Sequence, residues 1–276
     1  MAGAFVITLR EAIEASLVVG IILGYLAKAR RTSLARHVWA GVAAAVLASA
    51  IAGYLFERFT GGFDGRAEQV FEGVVMLSAA VVLTFMVLWM QKPSRGIKGE
   101  LQARLDEALG ADAALGVAGL AFLSVFREGV EMVLFLKAAL VSAPERGVFW
   151  GGVAGIAGAI IVAWLLFRST ARLDLRRFFA VTGTMLVLFA AGLVANGLHE
   201  FQEAGFLPAL VEHLWDTGRW LSADGSVGSF LKSLFGYSAS PSLLQVLGWA
   251  TYLLVFGPRY VRGLTGAARP QSAARS

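Results

Sequence analysis

Long apolar runs, each close to 20 residues, alternate along the chain with shorter polar connections. The runs lie at residues 4–26, 37–56, 70–90, 114–141, 148–167, 178–198 and 243–260 and are rich in Ala, Val, Leu, Ile, Phe and Gly. A helix of about 20 residues crosses the hydrocarbon core of a bilayer. The pattern therefore predicts an all-α, polytopic membrane protein with seven transmembrane helices.

The composition agrees with a membrane protein. Of 276 residues, 57% are hydrophobic and 16% are charged, and the mean hydropathy is +0.69. Soluble domains of this length are less apolar. The net charge of +5 does not indicate nucleic-acid binding, because the basic residues are spread over the connections. The absence of cysteine excludes disulfides, thiolate metal sites and cysteine nucleophiles.

Lys and Arg are divided unequally between alternate connections. Sixteen lie at the ends of the first, third, fifth and seventh runs or in the segments that follow them, and five lie in the remaining connections. Basic residues accumulate on the cytoplasmic side of membrane proteins. We therefore expect a multi-pass protein of the inner or plasma membrane with its N-terminus outside and its C-terminus in the cytoplasm. The first run lacks a preceding basic region, so we predict a retained helix and not a signal peptide.

A five-residue motif occurs in the first run and again in the fourth. Residues 10–14 read Arg-Glu-Ala-Ile-Glu, and residues 127–131 read Arg-Glu-Gly-Val-Glu. Each motif begins a unit of three predicted helices. Because three is odd, the second unit is inserted upside down relative to the first. We therefore predict a 3+3 inverted repeat plus one extra helix, the plan of many secondary transporters.

The predicted organisation has six parts. Repeat 1 covers residues 1–90, a cytoplasmic loop 91–113, repeat 2 114–198, an extracytoplasmic segment 199–242, the seventh transmembrane helix 243–262 and a cytoplasmic tail 263–276. Residues 99–109 of the loop fit a short amphipathic helix. The extracytoplasmic segment is predicted to form an interfacial cap. The tail is rich in Ala, Arg and Ser, which predicts disorder.

The two motifs place ionisable residues near the middle of apolar helices. Glu residues at i and i+3 project from one helix face, so each motif can form a two-carboxylate claw. Each ionised residue costs roughly 2.5–3.5 kcal/mol at a helix centre, so both claws must face the bundle interior. Four carboxylates against two guanidinium groups leave two negative charges for a cation or protons to balance. The predicted metal ligands are Glu11, Glu14, Glu128 and Glu131, with Arg10 and Arg127 as motif partners.

Carboxylate ligation favours hard cations such as Mg, Ca, Mn or oxidised iron. The three histidines lie outside the predicted helices or at their ends, and the spacing of the glutamates does not name the metal. Met86 and Met90 are predicted to pack near the cytoplasmic interface and not to bind copper. Lys137 is predicted to extend to the lipid headgroups.

A second group of polar residues lies at the outward ends of predicted helices 3 and 6. Within it, Glu68 and Glu72 are one helical turn apart, and His199 and Glu203 are spaced i, i+4. We interpret the group as a candidate site where cations are first captured, with ordinary solvated helix ends as the alternative. This outer acidic group consists of Glu68, Glu72, His199, Glu200 and Glu203.

Several segments resemble the oxidase-dependent high-affinity iron permeases, a family that includes bacterial EfeU-type proteins. The resemblance rests on the two Arg-Glu-x-x-Glu motifs, on residues 71–73 (Phe-Glu-Gly), on residues 86–90 (Met-Val-Leu-Trp-Met) and on residues 197–205 (Gly-Leu-His-Glu-Phe-Gln-Glu-Ala-Gly). It covers nearly the whole chain. It implies uptake of iron, supplied as ferric iron by an external oxidase or peroxidase, with the four motif glutamates binding the metal.

The resemblance also sets expectations about partners. The chain contains no fused cupredoxin or peroxidase segment, so we expect oxidation to need a separate extracytoplasmic oxidase, peroxidase or iron-binding partner. We expect no organic cofactor and no enzymatic activity, and the oligomeric state stays open. One alternative is a transporter of manganese, calcium or protons. A less favoured alternative is a membrane di-iron oxidase, because such proteins use Glu-x-x-His pairs and the predicted helices contain none.

Overall fold

The computed structural model describes residues 1–91, 103, 105, 112–168, 174–208, 211, 213–222 and 225–266. Within these residues the chain is all-helical, and a short 3₁₀ turn at Thr32–Leu34 precedes the second helix. The α-helices are α1 (Ala2–Lys28), α2 (Ala35–Thr60), α3 (Arg66–Trp89), α4 (Ala113–Ser142), α5 (Glu145–Arg168), α6 (Leu175–Glu203), α7 (Ser226–Phe235) and α8 (Leu243–Gly266).

Each predicted apolar run coincides with one long helix, whose ends differ from the prediction by a few residues. The largest differences are at the C-terminal ends of α6 and α8. α4 and α6 begin at side-chain caps, because Asp112 and Asp174 accept hydrogen bonds from the backbone N–H groups of Leu115 and Arg177. Apolar composition and these caps together explain where the helices lie.

Five helical stretches are long and apolar enough to cross a membrane. They are Thr32–Thr60, Arg66–Trp89, Ala113–Ser142, Glu145–Leu165 and Leu175–Glu203. α1 and α8 are not among them; α1 carries the charged motif of residues 10–14, and α8 contains Pro258 and Arg259. The described helices therefore form a multi-pass membrane protein in which five spans are recognisable by length and composition alone.

The long helices pack in pairs that join the first three to the next three. α1 packs along α5, α2 along α4 and α3 along α6, and α1 also contacts α4. Glycines allow close approach: a Cβ at Gly155 would collide with the backbone of Phe5, and a Cβ at Gly41 with the carbonyl oxygen of Ala118. Small residues have this role in membrane helix packing, where van der Waals contact drives association.

α8 is attached to α3 and α6 by polar as well as apolar contacts. The hydroxyl groups of Thr84 and Tyr252 are 2.6 Å apart and share a hydrogen bond. The hydroxyl group of Tyr260 donates to the carbonyl oxygen of Ala180 at 2.8 Å. Within the membrane such bonds satisfy side chains that water cannot reach. They hold α8 in a fixed position beside the first six long helices.

The predicted extracytoplasmic segment contains a helix, α7, that the sequence analysis does not predict. It ends at Gly236, whose φ of 68° is a left-handed conformation that favours glycine. A Cβ at Gly236 would collide with Gly192 of α6. The indole N–H of Trp249 donates to the carbonyl oxygen of Phe235 at 3.2 Å. This part of the segment therefore packs against the helix bundle.

Some predictions differ from the structure or lie outside the described residues. Of the predicted amphipathic helix at 99–109, only Ala103 and Leu105 are described; both are helical, and Leu105 is buried. Residues 267–276 of the predicted disordered tail are outside the described range, and α8 continues to Gly266. Lys137, predicted to extend to the headgroups, forms an ion pair with Glu57, whose side chain is exposed. The parallel packing of α2 and α4, which the sequence does not show, places Glu57 level with it.

Candidate metal site

α1 and α4 bring carboxylates from both motifs together. Oxygen atoms of Glu11, Glu128 and Glu131 all lie within 4.8 Å of one another. Oxygen ligands lie 2.0–2.6 Å from a hard cation, so two ligands on opposite sides of one ion are about 4–5 Å apart. These three residues, the three-carboxylate cluster, are therefore spaced to coordinate a single ion.

The three-carboxylate cluster is buried and has free acceptor capacity. Glu11 is 0% exposed and Glu128 is 3% exposed, while the Glu131 side chain is 19% exposed. Within the described part of the chain, neither oxygen of Glu11 accepts a hydrogen bond, and one oxygen of Glu128 and one of Glu131 also lack a donor. Buried ionised carboxylates without partners are strongly unfavourable. A cation bound between them would remove this cost.

Glu14, the fourth predicted ligand, pairs with Arg10 and does not belong to the three-carboxylate cluster. Nε of Arg10 is 2.8 Å from Oε1 of Glu14, and both residues are buried. The contact is an ion pair whose geometry does not meet that of an aligned hydrogen bond. Arg10 also donates from Nη2 to the sulfur of Met90 at 2.6 Å. Arg10 therefore stabilises Glu14 and leaves Glu11 unpaired.

Arg127 occupies a different environment from Arg10. Its Nη2 is 2.6 Å from Oε1 of Glu128, and its Nε is 3.5 Å from Oε1 of Glu131. Its side chain is 56% exposed, against 2% for Arg10. The two motifs thus have the same sequence pattern but different pairing: Arg10 contacts the second glutamate of its motif, and Arg127 is closest to the first.

The neighbours of α1 and α4 account for this difference in exposure. Val6 and Ile13, on the Arg10 face of α1, are buried, and Val6 belongs to the core cluster that includes residues of α3, α6 and α8. The equivalent residues of α4, Leu123 and Val130, are exposed among the described residues. The motif sequence alone does not indicate which arginine is covered, because the covering helices are distant in the chain.

The structure brings the two halves of the outer acidic group together at one end of the α3–α6 pair. Nε2 of Gln69 donates to Oε2 of Glu203 at 3.2 Å, and Nε2 of His199 lies 3.2 Å from Oε1 of the same residue. Glu72 and Glu200 are close enough to Glu203 to be repelled by its charge. The group is therefore a concentration of negative charge.

A cavity of about 190 Å³ adjoins the outer acidic group. It extends from His199 and Glu200 to Asn196, whose side chain donates to the hydroxyl group of Ser142 at 3.1 Å. Lys232 of α7 also lines it. Neither Lys232 nor Asn196 is recognisable as a site residue from the sequence. Lys232 lies in a helix that the apolar pattern does not predict, and Asn196 lies within an apolar run.

Residues 1–264 match the iron permease FTR1 family. The chain belongs to that family. It is 35% identical over 254 residues to the ferrous iron permease EfeU of Escherichia coli O6:H1 strain CFT073, an alignment that covers 91% of each protein. It is 33% identical over 252 residues to the ferrous iron permease EfeU of Yersinia pestis, covering 91% of this chain and 89% of that relative.

These matches confirm the resemblance drawn from the motifs. The family and the relatives are named as permeases, so the chain is a transporter and not an enzyme, and iron transport is its established class of activity. No solved structure matches the chain.

Proposed function

We propose that this chain imports iron across the cytoplasmic membrane through the three-carboxylate cluster. Glu14, which is ion-paired with Arg10 in this structure, is a further ligand during transport. The observation that carries the proposal is the convergence of unpartnered carboxylate oxygens from two separate motifs within 4.8 Å. A network built only for stability would pair its carboxylates with arginines. Here four glutamates face two arginines, and Glu11 has no donor among the described residues.

The route begins at the outer acidic group. Its negative charge raises the local concentration of cations, and the adjoining cavity offers carboxylate, amide and hydroxyl oxygens on the way inwards. Glu131 is the most exposed member of the three-carboxylate cluster and is therefore the first that an arriving ion meets. Iron then leaves to the cytoplasm as the two halves of the protein rearrange.

The proposed topology has seven spans, an outside N-terminus, a cytoplasmic C-terminus and two inverted repeats of three helices followed by α8. Two kinds of contact support it. Exchanging α1–α3 with α4–α6 turns the α1–α5 pair into the α4–α2 pair, and both pairs are present in the structure. The helix pairing is therefore symmetric between the two sets of three helices. A Cβ at Gly151 would collide with the carbonyl of Met1, and one at Gly41 with the carbonyl of Ala118. Met1 and Ala118 occupy equivalent positions, because each lies ten residues before the first glutamate of its motif.

The ligand type and the names of the relatives indicate different oxidation states for the iron. Carboxylate ligation favours the harder ferric ion, whereas the relatives are named ferrous iron permeases. We propose ferric iron, produced by a separate extracytoplasmic oxidase or peroxidase. Uptake from solutions buffered with either ion alone separates the two states.

The test is radio-iron uptake into proteoliposomes, with ferrous and ferric iron supplied separately. Glu11→Gln and Glu131→Gln each remove one carboxylate and should lower uptake at least about ten-fold, since each loses a charge-assisted contact. Glu145→Gln, at the exposed start of α5, is the matched control and should transport normally. Normal uptake by both site variants would refute the site. Competition by manganese or calcium distinguishes iron from another hard cation.

A further inference from the structure

Arg10 has an unusual set of neighbours for a buried arginine. Its side chain is 2% exposed. Nε forms the ion pair with Glu14, and within the described residues neither Nε nor Nη1 has an aligned hydrogen-bond acceptor. Nη2 donates to the sulfur of Met90, so this thioether is the acceptor that Arg10 reaches. Thioether sulfur is a weak acceptor, and a protein with many backbone carbonyls offers stronger ones. The use of a weak thioether acceptor at residue 90 therefore needs an explanation.

The second motif shows what an arginine at this position does without such a partner. Nη2 of Arg127 lies 2.6 Å from Oε1 of Glu128, the residue that follows it. The equivalent contact in the first motif would join Arg10 to Glu11. It does not form, and both oxygens of Glu11 stay without a donor among the described residues. The same atom of Arg10, Nη2, is directed to Met90 instead.

We infer that Met90 is a positioning residue that holds the Arg10 guanidinium away from Glu11 and so keeps Glu11 free to bind iron. The inference rests on the proposed iron site. A thioether suits this task because it is uncharged and does not bind a hard cation well. A carboxylate at residue 90 would compete for the metal. An aliphatic side chain would free Nη2 of Arg10 to pair with Glu11, as Nη2 of Arg127 pairs with Glu128.

The backbone around Met90 is well placed to hold the sulfur still. Met90 is the residue directly after the end of α3. The next residue, Gln91, donates from Nε2 to the carbonyl oxygen of Tyr260 in α8 at 2.9 Å, and its side-chain oxygen lies against Gly263. α3 and α8 therefore fix Met90 jointly, so the contact with Arg10 connects the iron site to the ends of two other helices.

The test compares leucine and glutamine at residue 90 with the same changes at Met86. Met86 is buried one turn earlier in α3 and belongs to the hydrophobic core, so it provides the matched control. Met90→Leu keeps the volume and removes the acceptor, whereas Met90→Gln keeps the length and supplies a stronger acceptor. KM and maximal rate for radio-iron uptake into proteoliposomes are measured for all four variants and for Glu11→Gln.

If Met90 acts as an acceptor, Met90→Leu raises KM about ten-fold with a smaller change in maximal rate, since hydrogen bonds to charged groups contribute about that factor. Met90→Gln restores the KM of the unmodified protein. Met86→Leu is neutral, and Met86→Gln impairs the protein because it buries an amide in the apolar core.

The opposite pattern would overturn the inference. In that pattern Met90→Leu leaves KM unchanged, and Met90→Gln impairs uptake as much as Met86→Gln does. Met90 would then only pack in the core. If Met90→Leu does not fold, the contrast between the two glutamine variants decides the question. Normal uptake by both Glu11→Gln and Glu131→Gln refutes the iron site itself. Loss of uptake by Glu11→Gln with a normal KM for Met90→Leu refutes only the role of Met90.

Discussion

Glu11 and Glu14 are three positions apart on one helix and have the same side chain, yet their neighbours differ. Glu11 belongs to the three-carboxylate cluster, whereas Glu14 forms an ion pair with Arg10 at 2.8 Å. The difference arises because the i, i+4 spacing lets Arg10 reach Glu14 readily, while Nη2 of the same guanidinium is engaged by Met90. The two glutamates should therefore have different parts in transport.

Equilibrium binding of iron to the detergent-solubilised protein should separate the two glutamates. Glu11→Gln removes a ligand that is free to bind, so we expect the Kd to rise at least about ten-fold. Glu14→Gln removes a carboxylate already neutralised by Arg10, so we expect the Kd to change less than about three-fold while the uptake rate falls. Equal losses of binding in the two variants would show that Glu14 is already a ligand in the resting site.

At the scale of helices, close contact between the two sets of three helices depends on glycine. Gly155 of α5 lies directly against α1, and Gly41 of α2 lies directly against α4, whereas Gly24 of α1 has no atom near the position of a Cβ. Glycine in a helix costs conformational entropy, so it is retained where a side chain has no room. The same residue type thus has a packing role at some positions and none at others.

Alanine substitutions should reveal this difference as unequal changes in thermal stability. Gly155→Ala and Gly41→Ala force a methyl group into the backbone of a neighbouring helix, so we expect each to destabilise the protein by about 1–3 kcal/mol. Gly24→Ala, the control, should leave stability unchanged or raise it by up to about 1 kcal/mol, because alanine is the better helix former. The measurement is the unfolding midpoint in detergent. Equal midpoints for the three variants would contradict the packing.

At the scale of the whole molecule, the proposed inverted repeat requires each connection to lie on a definite side of the membrane. The chain contains no cysteine, so single cysteines can be introduced without removing others. Gly62, between α2 and α3, and Ser33, between α1 and α2, are both exposed. The proposed topology places the first outside and the second in the cytoplasm.

A membrane-impermeant maleimide should distinguish the two positions in intact cells. We expect Gly62→Cys to be labelled directly, and Ser33→Cys to be labelled only after the membrane is opened, because the reagent cannot cross the bilayer. Labelling of both residues in opened membranes is the control for reactivity. The reverse pattern would mean that the N-terminus lies inside.

The charge of the imported ion predicts how uptake depends on membrane potential. An inside-negative potential contributes about 2.3 kcal/mol per charge for each 100 mV. Accumulation in proteoliposomes should therefore rise by about three orders of magnitude per 100 mV for two net charges, and by about five for three. The measurement is internal radio-iron at equilibrium over a series of imposed potassium-diffusion potentials. Accumulation that is independent of potential would exclude net movement of the iron charge.

The amino-acid sequence by itself determined the helices and the kind of chemistry. Runs such as residues 114–141 can only be solvated by lipid or by other apolar helices, so their positions follow from composition and length. Four glutamates and two arginines within such helices leave an excess negative charge that predicts a bound cation or protons, and this prediction needs no coordinates. The match of the chain to the iron permease FTR1 family agrees with that interpretation.

Only the tertiary structure decided how the charged side chains divide their partners. Arg10 and Arg127 occupy equivalent positions in their motifs, yet one is buried beside Met90 and the other is exposed beside Glu128. Lys137 pairs with Glu57, 80 positions earlier in the chain, because α2 and α4 run side by side. Charge interactions depend on distance and burial, and neither is encoded in local spacing. The pairing in the site is therefore a property of the packed helices.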